Sequence, residues 1–183
     1  MTVADRDLPR FYHDVLRTLL RYAIVMAIVG LLAGISFQES ARKLSYVAAP
    51  GGVRLEAIVQ LALVHGHVFT MTVLLPLGLA GALLLARRVG APAISLRGLR
   101  CLTRGYLPFA TATVALQLYK GYFVLLAVRG GTLDFAAIDA AFLGGAGVVR
   151  YGVYGFVHTG MGISLGAFLV LLWRSLTRPL ASA

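Results

Sequence analysis

The chain has 183 residues, 59% of them hydrophobic and only 13% charged, with a mean hydropathy of +0.84. Soluble domains carry about 45–50% apolar and about 25% charged residues, so this composition excludes an ordinary soluble domain and predicts an integral membrane protein. The net charge of +10 comes in arginine blocks beside apolar runs, without a basic helix or an aromatic platform. That arrangement excludes nucleic acid and makes the lipid bilayer the first partner.

The first twenty residues hold Leu8, Phe11, Tyr12, Val15, Leu16, Leu19 and Leu20 at helical spacing. The pattern predicts an amphipathic helix lying in the membrane interface, or equally an extension of the first span. Acidic residues among its arginines and the lack of a small-residue cleavage site set it apart from a signal peptide. Four apolar runs follow, at residues 21–37, 57–86, 106–128 and 147–173, each about as long as the roughly 20 residues that cross a bilayer. The connections carry Pro50 and Gly51, then Pro92 with Arg97, Arg100 and Arg104, then a stretch with Gly130, Gly131 and Asp134. Together they predict an all-α protein, a single-domain integral membrane four-helix bundle with an N-terminal interfacial helix. Cys101 is the one cysteine, so neither a disulfide within the chain nor a thiolate metal cage forms.

Orientation follows from Lys and Arg near the span ends. One side collects Arg6, Arg10, Arg17, Arg21, Arg87, Arg88, Arg97, Arg100, Arg104, Arg174 and Arg178; the other has Arg42, Lys43, Arg54, Arg129 and Arg150. The bias predicts both termini in the cytoplasm, in a bacterial inner membrane. Spans two and four then run parallel, from outside to inside.

Ionisable groups inside a span are costly and tend to be functional. His65 and His67 fall in span two and His158 in span four, at similar depth in the outer half when 1.5 Å is counted per residue. Two parallel helices presenting imidazoles at one depth suit a haem iron. His65 and His67 are about 200° apart around a helix, so only one can face a shared metal. Gly78, Gly81 and Gln60 share the face of His67, and small residues mark faces of close approach; His67 is therefore the expected ligand, with His65 supporting it or replacing it. Gly155, Gly162 and Gly166 form a stripe with His158 along which a flat ring can lie. Such a stripe is also an ordinary helix-packing seam, and it permits a homodimer. Thr113, Gln117 and Lys120 make a polar stripe in span three. Lys120, Arg129 and Arg150 are the expected partners of haem propionates, with snorkelling as the competing reading of Lys120.

Short motifs in every span carry a resemblance. Residues 36–39 (Ser-Phe-Gln-Glu), His65-Gly-His67, Tyr119-Lys-Gly121 and His158-Thr-Gly-Met-Gly162 resemble a small family of four-helix bacterial membrane proteins classed only as a domain of unknown function. Span two, from His65 through Met71 to Pro76, is also similar to the second helix of the catalytic subunit of haem–copper oxidases. There a histidine with a downstream methionine and proline binds the low-spin haem; the proline offset suits His65 and the methionine offset His67. The further histidines that hold an oxidase's copper and second haem are missing, so oxygen reduction of that type is not expected.

The sequence therefore predicts a membrane haem b protein with His67 and His158 as axial ligands. Its expected role is electron transfer with the quinone pool or a periplasmic redox partner, or redox and gas sensing if one ligand is labile. The alternatives are a copper or zinc site built from His65, His67 and His158, and a cofactor-free accessory subunit or small transporter whose histidines carry protons. No serine or carboxylate arrangement marks an enzyme.

Overall fold

The computed structural model describes residues 8–44 and 51–177 of the chain, and all regular structure among them is helical. Arg6 and Arg178 of the basic count, together with Pro50, lie outside the described residues. Helix α1 spans Arg10–Leu44 and α2 Gly51–His67; a π-helical stretch, Val68–Leu74, joins α2 to α3, Leu75–Arg88. Helix α4, Leu96–Arg100, leads through a second π stretch, Cys101–Tyr106, into α5, Leu107–Arg129. The short α6, Phe135–Ala141, and a 3₁₀ turn, Phe142–Gly145, precede α7, Gly147–Thr177.

Four continuous helical rods result: Arg10–Ser40, Ala57–Arg88, Leu96–Arg129 and Gly147–Thr177, of 31 to 34 residues. At 1.5 Å per residue each is about 46–51 Å long, enough to cross the roughly 30 Å hydrocarbon core and its headgroup layers. Ile24, Val25, Ile28, Leu31, Leu32 and Ile35 of α1 are exposed, as are Val148, Phe156, Ile163, Leu169 and Val170 of α7. A soluble monomer does not leave an apolar coat of that extent in water. The chain is a multi-span helical membrane protein.

The N-terminal stripe does not lie apart as an interfacial helix. From Arg10 it forms the first turns of α1, unbroken into the span. Tyr12, Val15, Leu16 and Leu19 are buried in one cluster with Leu83, Ile94, Leu99, Leu102, Tyr106 and Phe168. The stripe finds protein partners in place of lipid, and the Tyr12 hydroxyl accepts the Ile94 amide at 2.7 Å, satisfying a backbone donor of the connection between spans two and three. Span three likewise starts ten residues earlier than expected, at Leu96, because Ser95 caps it, its Oγ accepting the Gly98 amide. Arg97, Arg100 and Arg104 thus sit on a helix. With Arg10, Arg17, Arg21, Arg88 and Arg174 they make an arginine-rich end whose one described acidic residue is Asp14.

Both π stretches end just before a proline, Pro76 and Pro108. Proline lacks the amide that would close the preceding turn, and the wider π turn shifts which carbonyl is left open. The Leu75 amide bonds the Thr70 carbonyl, five residues back. In that register the partner of the Met71 carbonyl would be Pro76, which has no N–H. The Tyr106 hydroxyl donates to Met71 instead, reaching across from the other π stretch. Tyr106→Phe is expected to leave that part-buried carbonyl unpaired at up to about 1–3 kcal/mol, seen as a lowered thermal midpoint in detergent.

The close helix crossings use glycine at a few positions. A methyl on Gly30 would stand 2.7 Å from Phe69 Cε2, and one on Gly34 2.9 Å from the His65 ring. On the other side of the bundle a methyl on Gly160 would meet the Phe109 ring at 2.4 Å, and one on Gly121 would meet Leu61 at 2.7 Å. These contacts fix span two between α1 and α5, and α7 against α5. Gly78 and Gly81, expected on a packing face, have open space beside them.

Candidate functional site

In the half of the bundle nearer α6, α2 and α7 stand on either side of α5 and leave a crevice. Gln60, Leu63 and His67 of α2, Gln117 and Lys120 of α5 and Tyr154 of α7 line a cavity of about 190 Å³ there. It adjoins, at Leu63 and His67, a more open groove of about 420 Å³ along Ala62, Gly66, Thr70 and Met71.

The two expected ligand residues share one hydrogen-bonding habit. His67 Nδ1 lies 2.7 Å from the Leu63 carbonyl, and His158 Nδ1 lies 2.9 Å from the Tyr154 carbonyl, each four residues back on its own helix. A carbonyl can only accept, so Nδ1 carries the proton in both rings. In the neutral imidazole Nε2 then keeps its lone pair, the tautomer a metal ligand needs. His67 lines the cavity. His158 is exposed on α7 and stacks on Tyr154, ring centroids 6.0 Å apart. Phe156 and Gly160 of α7 turn to Phe109 of α5. His158, two residues from each, therefore faces the opposite flank, beside the Tyr154 wall of the crevice.

His65 does not share this crevice. Its Nδ1 donates to the Gly30 carbonyl at 3.0 Å and its ring packs on Gly34 and Phe69. It is an interhelical hydrogen bond between α1 and span two, and the roughly 200° separation from His67 is the reason. The three histidines consequently do not gather as a copper or zinc site, and no group of three or more metal-ligating side chains forms among the described residues. Arg129 is also elsewhere, in a separate cavity with Ser36, Glu39 and Tyr122 between α1 and α5. Gly155 and Gly162 face outward on α7 with open space beside them. The packing seam of α7 runs instead through Val157, Gly160, Ser164 and Phe168.

The charges at the crevice come as a triad. Asp139 of α6 holds Lys120 at 2.7 Å with one carboxylate oxygen and Arg150 at 2.8 Å with the other. Arg150 also donates to the Asp139 carbonyl, and lies 4.8 Å from the centre of the Tyr151 ring. Asp139 escapes sequence reasoning because its stretch reads as a loop. The available signal is Asp134, a helix N-cap whose carboxylate accepts the Ala136 and Ala137 amides. Tyr154 and Gln117 complete the site. The Tyr154 hydroxyl and Gln117 Oε1 are buried without a hydrogen-bond partner, which marks the cavity as a place for water or a polar ligand group. Phe142, fully buried, packs on Tyr119, Phe123 and Tyr154 and pins the α6 turn to α5 and α7.

The hydrogen bond from Lys120, aided by the charge of Arg150, holds the Asp139 carboxyl below the usual carboxylate range against the opposing effect of partial burial. A depressed folded-state value stabilises above the unfolded value of about 3.9 and is lost as pH falls through the folded one. Asp139 is partly exposed, so Asp139→Asn is expected to cost only up to about 1 kcal/mol at pH 7. The thermal midpoints of variant and wild type should converge as the pH is lowered below 4.

Comparison with protein-family models, with curated proteins and with solved structures gives no match for this chain. The class is set by the fold itself, a four-span helical membrane protein with one polar crevice between spans two, three and four.

Proposed function

We propose that this protein binds one haem b in the crevice, with His67 and His158 as axial ligands, and serves in electron transfer. The observation that supports the reading is the matched Nδ1–H tautomer of His67, which lines the crevice, and of the exposed His158, which stacks on Tyr154 of its wall; each leaves an Nε2 lone pair for an iron. The 190 Å³ cavity is smaller than the roughly 300–1,000 Å³ of sites for drug-sized ligands. A macrocycle therefore needs the adjoining groove of about 420 Å³, where Gly66 has open space beside it. One edge would meet lipid, along the flank of Gly155 and Gly162. Lys120 and Arg150 against the single Asp139 leave one excess positive charge at the cavity, which favours a propionate. Arg129 has no part in this version of the site.

When bound, such a haem would supply one-electron chemistry. The residues of the chain would hold it, fix the imidazole tautomers and exclude water. With the arginine-rich end in the cytoplasm of a bacterial inner membrane, the crevice lies in the outer half of the bilayer, within reach of the quinone pool or of a periplasmic redox partner. The outward glycines of α7 serve either the haem edge or a homodimer, since one face cannot do both. A second reading rests on the orphaned Gln117 and Tyr154 oxygens: a hydrated path through His67, Lys120 and Asp139 in a cofactor-free proton-coupled transporter. The test is the absorption spectrum of the full chain purified from haem-replete cells, oxidised and then dithionite-reduced. A Soret band with sharp reduced α and β bands is expected; a colourless protein with pH-dependent flux in proteoliposomes would establish the second reading instead.

A further inference from the structure

A second cavity lies at the opposite end of the molecule, remote from His65, His67 and His158. It measures about 200 Å³ and sits between the connection that follows α3 and the last turns of α7, with Pro92, Ile94, Ser95, Leu171, Arg174 and Ser175 around it. Its walls are firmly built. The buried Ser175 hydroxyl donates to the Pro92 carbonyl at 2.5 Å, tying connection to helix. A methyl on Gly98 would stand 2.7 Å from Leu171 Cδ1, so α4 and α7 touch there with no slack. Ile94 and Leu171 give the cavity an apolar side. Arg174 is exposed at its rim and makes no ion pair with a described residue.

The depth of this cavity in the bilayer can be read from its neighbours. Trp173, the only tryptophan of the chain, is 69% exposed, and tryptophan concentrates at the headgroup level of membranes. Below it Leu169 and Val170 offer an exposed apolar surface. A cation at headgroup depth, a preformed cavity beside it and an acyl-contacting surface beneath match one kind of molecule. We propose that the cavity at Arg174 is a binding site for an anionic phospholipid, the phosphate on Arg174 and the acyl chains along the outer face of α7. The surrounding arginines, with Asp14 the one acidic residue among the described residues of that end, raise the local concentration of anionic headgroups; among the described residues Arg174 is the cation that lines the cavity.

Trp173 gives the test its reporter. The full chain is reconstituted in phosphatidylcholine vesicles containing a small fraction of dansyl-labelled phosphatidylglycerol or dansyl-labelled phosphatidylcholine, and energy transfer from Trp173 is measured. Transfer to the anionic lipid should exceed transfer to the zwitterionic one. Arg174→Gln should lower the anionic preference about five-fold, Arg174→Lys should keep most of it, and Arg21→Gln, elsewhere on the same end, should leave it unchanged. Equal loss in Arg174→Gln and Arg21→Gln would mean diffuse attraction and overturn the site, as would a preference that survives Arg174→Gln. Inorganic phosphate, against chloride at matched ionic strength, should not displace the lipid; selective displacement would make free phosphate the occupant and overturn the lipid assignment.

Discussion

On the haem proposal, replacing His67 or His158 by alanine is expected to abolish the Soret band of the purified protein, while His65→Ala keeps it. The first two variants each remove one of the proposed Nε2 ligands; the third removes a hydrogen bond to Gly30 on the far side of span two. His65→Ala should therefore act on stability, at about 1 kcal/mol for the lost bond, and shift the thermal midpoint without changing the spectrum. Lys120→Met tests the cationic edge separately. It leaves both ligands in place, so the spectrum should persist while haem is lost more readily to an apo-globin acceptor. A spectrum that survives in His158→Ala but not in His67→Ala would mean a different second ligand. A spectrum lost only in His65→Ala would mean that span two is turned by half a helix relative to the bonds described above.

The second large effect is steric. Gly30→Leu is expected to destabilise the protein by at least about 1–3 kcal/mol, because the new Cβ would already stand 2.7 Å from Phe69 and 3.0 Å from Val68. Span two cannot retreat, since Leu61 is pressed against Gly121 of α5 on its other side. Gly78→Leu is the paired control. Nothing lies within 4 Å of a methyl there, and leucine is a better helix former than glycine by up to about 1 kcal/mol, so that variant should be neutral or mildly stabilising. The readout is the fraction of protein that stays monodisperse by gel filtration after a heating series in detergent. Equal loss in both variants would show that any bulk on span surfaces is harmful and would remove the special role of the α1 crossing.

The difference between those two glycines shows where sequence reasoning reached its limit. Composition and apolar run length determined the class, since a chain with so few charges has no way to cover four long apolar helices with water-soluble surface. Spans two and four came out within a few residues of their observed bounds because Arg87 and Arg88 close one and Gly147 opens the other. Helix period alone also separated His65 from His67. That separation is a local property of the rod and survives any arrangement of its neighbours.

What the period could not say is which neighbour each face meets. Gly155, Gly162 and Gly78 have the spacing of a packing seam, yet they look outward. The true seams use Gly30 with Gly34, and Gly160 with Ser164. Both pairs have small residues four apart, as do several pairs that pack on nothing, so the spacing does not distinguish them. Asp139 is the clearest case at the site. It lies eleven residues before Arg150 and nineteen after Lys120, and no local rule connects the three. Only the fold of α6 back over α5 and α7, held by buried Phe142, brings the carboxylate between two cations. The N-terminal stripe makes the same point for stability. Its amphipathic period was fully legible in the sequence, but whether it faced lipid or protein depended on the apolar surface offered by Leu83, Leu99, Leu102 and Phe168. Those residues are distant in the chain and meet it only once the bundle has closed.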